Sequence, residues 1–409
     1  MSRRRHSTPA PATLAPLDDE DLLREILLRL PPSPSSLPRA SLVCKLWRGI
    51  LSDPGFGRRF RKHHRIPPLL GCFVKDLGMA PVFSPLLDPP DRIPAPLPEN
   101  LADPSSWSST HRRLSFSFHG CRHGIALLLD HRRNEAVLWD PLTGVQRRVC
   151  FPPGLGFAGG AQSGIVWNAA VLRTASADDH DDCRLTPFKL VLACRDDKFT
   201  KEFVCLYESN TGVWGDVISI TTTDRIGLKS PSVLVGNTLC WLVSGGGILE
   251  FDFERQTLVV IDEPTDLHAT DPYPGMIHRS FQILRGEDGG LGLAVLSDSE
   301  QSIQLWARKS DSDGVGSWVL RKTVQLDERF SRPEGTQKRL WMPGYDEDTN
   351  AIFLSLDSDD FMLQLESMQF TCLHRNGLEI FRTYHPYAGF YTAGRGIAGG
   401  DGGAENVNA

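Results

Sequence analysis

From residue 17 to about residue 60 the apolar positions recur at three- and four-residue steps, and after Pro67 that period disappears. In the first stretch Leu22, Leu23, Ile26, Leu27 and Leu30 form one wide stripe, which predicts an amphipathic helix. Asp18, Asp19, Glu20 and Asp21 put negative charge in its first turn, complementing the partial positive charge of a helix start, and Pro31-Pro32 stops it. A second helix is predicted from Ser36, which can cap it, with Pro38 tolerated in its first turn. Its stripe is Val43, Leu46, Trp47, Ile50 and Leu51, and Asp53-Pro54 ends it. Two such helices carry more apolar surface than they can hide from water. A unit of about 45 residues is marginal alone and usually needs a partner surface.

Beyond Pro67, short apolar runs alternate with Gly, Pro, Asp and Asn, which predicts an all-β architecture. Strands are expected over 69–74, 124–129, 136–139, 189–194, 203–207, 232–235, 238–243, 248–253, 257–261, 292–296, 303–307, 318–324, 351–356, 361–365 and 368–374. A degenerate unit runs through them: a strand, a turn, a strand ending in an aromatic or acidic residue, a polar turn, and an apolar return. The stretch from Ala136 to Gly144, AVLWDPLTG, is its clearest copy. The anchors Trp139, Tyr207, Phe251, Trp306 and Gln364 lie 68, 44, 55 and 58 residues apart, a range that suits propeller blades with variable loops. At roughly 40–50 residues per blade, residues 66–393 allow six or seven blades, and six is the expectation. The competing architecture is a β-sandwich or two smaller β domains. An open propeller would expose strand edges, so the first apolar segment, 69–74, and the last, 378–384, are expected to seal one blade together.

The predicted organisation is a disordered basic N-terminus (1–15), a helical module with a basic stem (16–65), a β domain (66–393) and a disordered Gly-rich tail (394–409). Residues 76–110, rich in Pro and Ser, are expected to be partly irregular, and 174–187 and 309–316 to be loops.

The net charge of −6 hides an asymmetry: residues 1–66 hold 13 Lys/Arg against 6 Asp/Glu, and the rest hold 31 against 44. A basic module on an acidic body argues against a nucleic-acid-binding body. The run from Arg58 to Arg65 reads as a solvated helix face. No apolar run approaches the ~18 residues of a membrane span, and no apolar h-region follows Arg3-Arg4-Arg5, so neither a membrane nor a secretory signal is expected. Nine scattered cysteines without a C-x-x-C pair argue against a disulfide framework and fit a reducing cytoplasm or nucleus.

Candidate chemistry is sparse. His119, Cys121 and His123 could ligate a metal, but no other Cys/His cluster has matching spacing, so an ordinary loop is the expectation. The string from Asp178 to Asp182 lacks the alternation of a calcium loop, and Gly245-Gly246-Gly247 suits a hairpin turn. Asp359-Asp360 is expected in a turn. There is no G-x-S-x-G, P-loop or H-E-x-x-H motif. Neither a metal nor another cofactor is called for.

The helical stretch resembles the F-box. The residues that carry the resemblance are Asp21-Leu22-Leu23, Glu25-Ile26-Leu27, Arg29-Leu30-Pro31, Ser41-Leu42-Val43-Cys44-Lys45, Trp47-Arg48 and Ser52-Asp53-Pro54-Gly55-Phe56. The family usually has Pro after the Leu that opens helix one; here Asp18 follows Leu17. The run from Arg58 to Arg65 and Pro67-Pro68-Leu69-Leu70-Gly71 look like a large plant subgroup. The stretch Gly124-Ile125-Ala126-Leu127-Leu128, then Leu138-Trp139-Asp140-Pro141-Leu142-Thr143-Gly144 and Pro152-Pro153, resembles the F-box-associated propeller of those proteins. The resemblance implies a mainly β chain with a small all-α N-terminal module, F-box helices followed by a β-propeller. It implies a non-catalytic substrate-recognition subunit of an SCF-type ubiquitin ligase, docking on a Skp-family adaptor and through it on a cullin, with an unidentified target protein held by the β domain. The adaptor-binding residues it points to are Leu17, Leu22, Leu23, Ile26, Leu30, Pro31, Leu42, Val43, Cys44 and Trp47. Two alternatives remain open: an F-box protein that delivers no target for ubiquitination, and a β-propeller enzyme or sugar-binding module, which would need a polar, His- or carboxylate-lined funnel.

Overall fold

The computed structural model describes residues 19–75, 80–94, 116–153, 155, 165–173, 187–196, 200–221, 231–243, 247–264, 280–297, 301–310, 316–326, 340–356, 359–373 and 382–391. The termini expected to be disordered, the acidic string at 178–182 and the 309–316 loop beyond Ser310 lie outside these residues, apart from Gly316. The chain divides into two units, one running to Pro68 and resuming at Phe390, the other spanning Leu69–Gly389.

The first unit holds four helices rather than two. The first, α1 (Glu20–Leu28), is capped by Asp19, whose carboxylate accepts from the N–H of Asp21 and Leu22 at 3.0 and 3.2 Å. The expected second helix is two, α2 (Ser36–Ser41) and α3 (Lys45–Ser52). Cys44 takes extended backbone (φ −159°, ψ 174°) and breaks the helix there, while the Ser41 hydroxyl turns back onto the Pro38 carbonyl at 2.6 Å. Ser35, not Ser36, precedes α2, and its side chain makes no capping bond. Asp53-Pro54 ends α3 and also starts α4 (Pro54–His64): the Asp53 carboxylate accepts from the Gly55 N–H at 3.0 Å, and Pro54 fills a first-turn position where no N–H is needed.

The core of this unit is Leu23, Leu27, Leu37, Ile50, Leu51, Phe56 and Phe60, with Leu30 and Trp47 half-buried against it. Phe390, from the far end of the sequence, completes it edge-on to Phe60 with ring centres 6.2 Å apart. The basic run forms α4, where Arg59 pairs with Glu25 at 2.8 Å and the His64 ring lies 3.0 Å from the Leu28 carbonyl. No described helix is long and apolar enough to cross a membrane.

The second unit is a six-bladed β-propeller of antiparallel sheets. The chain enters through β1 (Leu69–Lys75) and β2 (Val82–Pro85), the latter inside the stretch expected to be irregular. The first complete blade is β3 (Phe116–Arg122), β4 (Ile125–Asp130), β5 (Glu135–Trp139) and β6 (Gln146–Cys150). The second is β7 (Ile165–Arg173), β8 (Phe188–Arg195), β9 (Lys201–Glu208), β10 (Val213–Trp214) and β11 (Ile218–Thr221). The third is β12 (Val233–Val235), β13 (Thr238–Leu242), β14 (Ile248–Asp252) and β15 (Thr257–Ile261). The fourth is β16 (Phe281–Arg285), β17 (Leu291–Ser297), β18 (Ser302–Ser310) and β19 (Gly316–Gln325). The fifth is β20 (Leu340–Asp346), β21 (Ala351–Leu356), β22 (Asp359–Gln364) and β23 (Gln369–Cys372). β24 (Thr383–Ala388) then joins β1 and β2 in a three-stranded sixth blade of order β2-β1-β24.

Burial follows position in the blade. The second strands are buried on both faces, β4 and β21 along their whole length, while the outer strands β6, β11, β19 and β23 alternate or stay exposed. Core clusters run across blade boundaries, so each blade's stability includes its neighbours' apolar faces. Several hairpins share one device: an Asp such as Asp130, Asp252 or Asp346 caps the turn's N–H groups, and the residue four positions on, Asn134, Gln256 or Asn350, takes left-handed backbone.

The expected closure is present, displaced along the chain. The sealing strand is β24, whereas residues 378–381 lie outside the described residues. Phe73 of β1 packs its ring against Phe83, Phe118, Trp139 and Tyr387, with ring centres 5.1 to 5.8 Å away. On the other side Tyr384 stacks on Phe353 at 5.3 Å, and a Cβ on Gly344 would stand 2.5 Å from the Tyr384 carbonyl, so the close approach needs glycine. Asp359-Asp360 is not in a turn: the pair opens β22, and the buried Asp360 accepts from the hydroxyls of Ser355, at 2.6 Å, and Tyr384.

Two outcomes are expected. Phe390→Ala should destabilise the helical unit by about 3–5 kcal/mol, seen by calorimetry as an earlier helical transition with the propeller transition unmoved; an unshifted helical transition would place Phe390 outside that core. Tyr384→Phe removes one of the two hydroxyl donors to the buried Asp360 carboxylate and leaves only Ser355 on its other oxygen, which should cost roughly 1.5–3 kcal/mol of propeller stability in urea unfolding; a neutral result would show that this bond does not hold the seam.

Candidate docking surface

α1 presents two faces, set by a one-position offset. Leu23 and Leu27 are buried in the core, while Leu22 and Ile26, one turn apart on the neighbouring face, stay 44% and 39% exposed. The corner between α2 and α3 exposes Leu42 (76%) and Val43 (61%), and Leu46 in the first turn of α3 is 41% exposed. Full burial of a Leu, Ile or Val side chain contributes about 1.5–3 kcal/mol. Five such side chains left in water on so small a unit mark a surface awaiting a partner. Ion pairs stiffen the helices that carry it: Arg24 reaches Glu20 at 2.6 Å and Asp53 at 3.4 Å.

Of the residues the motif singled out, Leu22, Ile26, Pro31, Leu42, Val43 and Cys44 are exposed, and Leu30 and Trp47 are half-buried against the core. Leu23 is fully buried in the module's own core and presents nothing to a partner in this fold. Leu17 lies outside the described residues. Leu46 was missed; its place in the apolar stripe of the second helix made it look like core.

A second, chemically different feature sits on the propeller axis, in a cavity of about 50 Å³ lined by residues of five blades. Arg122, at the end of β3, donates through Nε and Nη2 to the Glu347 carboxylate at 3.0 and 2.5 Å, and through Nη2 to the Ser232 carbonyl at 3.0 Å. Glu347 also accepts from the Leu234 N–H at 2.9 Å, so one ion pair ties the first, third and fifth blades. His385 of β24 is only 4% exposed, and among the described residues neither of its ring nitrogens has a hydrogen-bond partner. Burial and then Lys75 hold its pKa down at about 3. His123, in the tight β3–β4 turn at φ 56°, is lowered to about 4, by burial first and Arg122 next. Partial desolvation at the cavity's edge, then Asp346 and Glu347, push the Asp348 carboxyl up to about 6. His119, Cys121 and His123 are therefore not an ordinary loop. His119 and Cys121 belong to β3, and all three line this cavity. Among the described residues no three His, Cys, Asp or Glu side chains are placed to hold a metal ion.

A family model described as F-box domain matches residues 19–59, and one described as F-box protein AT5G49610-like, beta-propeller matches residues 117–387. No curated protein matches the chain. Among solved structures, the β-propeller domain of Cps50 (Swd1) from Myceliophteria thermophila is similar over 62% of this chain and 69% of that one, at 12% identity and a TM-score of 0.34, too loose a likeness to carry an argument.

The two faces of α1 should separate in mutants. Leu22→Ser should leave the helical transition within about 0.5 kcal/mol of the parent, whereas Leu23→Ala should lower it by about 2–5 kcal/mol. Equal effects in thermal unfolding would contradict the division into core and exposed residues.

Proposed function

The chain belongs to the F-box protein AT5G49610-like β-propeller family, and from that premise we propose that it is a substrate-recognition subunit of an SCF-type ubiquitin ligase. The helical unit docks on a Skp-family adaptor, the adaptor sits on a cullin, and the propeller holds a target protein. The observation that carries this reading is the exposed apolar set Leu22, Ile26, Leu42, Val43 and Leu46 on a unit whose core is already filled by other residues. The partner's apolar groups would bury these side chains, and such anchors dominate interface energetics. The role is proximity: a target held by the propeller raises the local concentration of its lysines near the charged ubiquitin carrier. No covalent step is assigned to this chain.

The alternative of a propeller enzyme or sugar-binding module draws support from the polar cavity on the axis. The volumes weigh against it. About 50 Å³ is far below the roughly 300–1,000 Å³ typical of small-molecule sites.

Leu22→Asp with Ile26→Asp should abolish co-purification of the adaptor. Two charges would be placed on a surface that must lose its water, at several kcal/mol each. Both positions are exposed, so the helical transition should persist. Full adaptor recovery by the folded double variant would refute the docking assignment. Turnover of co-purifying proteins with and without the double substitution then separates a ligase subunit from an F-box protein that delivers no target.

A further inference from the structure

We propose that the mouth of the propeller channel binds the cationic tip of a lysine or arginine side chain carried by the target protein, an inference that rests on the target-holding role proposed above. Its ground is the set of valences the fold leaves open. His385 is more than nine-tenths buried, lines the cavity, and has no partner at either ring nitrogen among the described residues. Buried polar groups are satisfied in the large majority of cases, so an unpartnered imidazole in a cavity wall points to a ligand. Asp348 lines the same cavity, and among the described residues its carboxylate has neither a hydrogen-bond donor nor an ion-pair partner.

Charge sets the class of ligand. Among the described residues the lining carries one guanidinium, Arg122, against the carboxylates of Asp346, Glu347 and Asp348. Arg122 and Glu347 neutralise each other in their two-bond pair. Asp346 is engaged by its own turn, accepting from the Asp348 N–H at 3.3 Å and the Thr349 hydroxyl at 2.5 Å. Asp348 is left as the carboxylate with no direct hydrogen bond or ion pair among the described residues, with Arg122 and Arg285 acting on it only at longer range. Arg173 and Arg285 also act on His123, but neither lines the cavity, and Arg285 donates to the Leu234 carbonyl at 3.4 Å. The imidazoles of His123 and His385 are held neutral, so they do not repel a cation, and each offers it a lone pair. An anion would meet Asp346 and Asp348 instead.

Size agrees. A water needs about 10–15 Å³ of such space, so about 50 Å³ accepts an ammonium or a flat guanidinium but not a ring. Asp348 and His123 stand on exposed turns, which leaves the mouth open to a side chain arriving from solvent.

The test uses the full chain labelled at histidine, with adaptor co-purification scored on the same preparation. Nα-acetyl-arginine amide and Nα-acetyl-lysine amide should give saturable shifts of the His123 and His385 imidazole signals. The neutral isostere Nα-acetyl-citrulline amide and the acidic Nα-acetyl-glutamate amide should not. Asp348→Asn should weaken the cation response about tenfold with an unchanged melting temperature. His123→Asn, which tolerates left-handed backbone, should weaken it as well and serves as the second reading if the first variant loses its fold. A response to citrulline or glutamate equal to that of arginine, no saturable shift with either cation, or full binding by Asp348→Asn would each overturn the proposal. If the cation response fails while the adaptor still co-purifies, only this site is lost. If the adaptor fails to co-purify while the cation still binds, the subunit role is lost and the site stands.

Discussion

Everything in the larger unit depends on the pairing of β1 with β24. Each blade buries apolar side chains against two neighbours, so the core is a continuous ring with no free end. A ring made from one chain must close somewhere, and here it closes by hydrogen bonds between segments more than 300 residues apart, from Leu69↔Ala388 to Lys75↔Thr383. If that ladder opens, the sixth blade disappears, and the first and fifth blades each expose a face and an edge. The density of specific contacts at the seam follows from this. Phe73 has aromatic neighbours on both sides, Tyr384 stacks and hydrogen-bonds into the fifth blade, and Gly344 lets two backbones approach where any Cβ would collide. Long-range pairing of this kind forms late, because its loop-closure cost precedes its contacts.

The smaller unit lives under the opposite constraint. It has too few residues to bury its apolar surface, and a filled core of ten side chains still leaves six large apolar ones in water among the described residues. It meets this shortage in two ways. The chain returns Phe390 to its core from the far end of the sequence. Five of those exposed side chains, all but Ile66, lie on α1 and on the α2–α3 corner, where a partner's surface can cover them. Marginal stability and partner dependence then have one cause.

What could be read from the sequence follows the same physics. The second strands of each blade are buried on both faces, so β4, β8, β13, β17 and β21 appear as largely apolar runs and were legible. The innermost strands were mostly not. β3 reads FSFHGCR, β20 reads LWMPGYD and β24 reads TYHPYA, with Pro, Gly and His where a strand should carry Val and Ile. Such strands have no neighbour on the side facing the axis, so Pro386 and Pro343 interrupt no ladder on that side. The break between α2 and α3 was hidden for a different reason. Leu42-Val43-Cys44 contains neither Pro nor Gly, and only the extended backbone at Cys44 ends the helix there. The division of α1 into Leu23 and Leu27 inside, Leu22 and Ile26 outside, is a rotation of about 100° per residue that a wide stripe does not resolve without knowing where the other helices lie.

The residues that defeat strand prediction are also the ones that carry the chemistry. His119, Cys121, Arg122 and His385 belong to inner strands, and Glu347 and Asp348 to the turn that follows one. An inner strand packs one side against its blade and turns the other toward the axis, where side chains from different blades meet around a small polar space. Apolar residues there would fill the channel and gain packing; polar ones leave it open at a cost in desolvation, visible in the displaced pKa values of His123, His385 and Asp348. Part of that cost is offset by the Arg122–Glu347 pair, which joins three blades. The part left uncompensated, at His385, is where local rules are broken without a structural return, and such places are where function is expected.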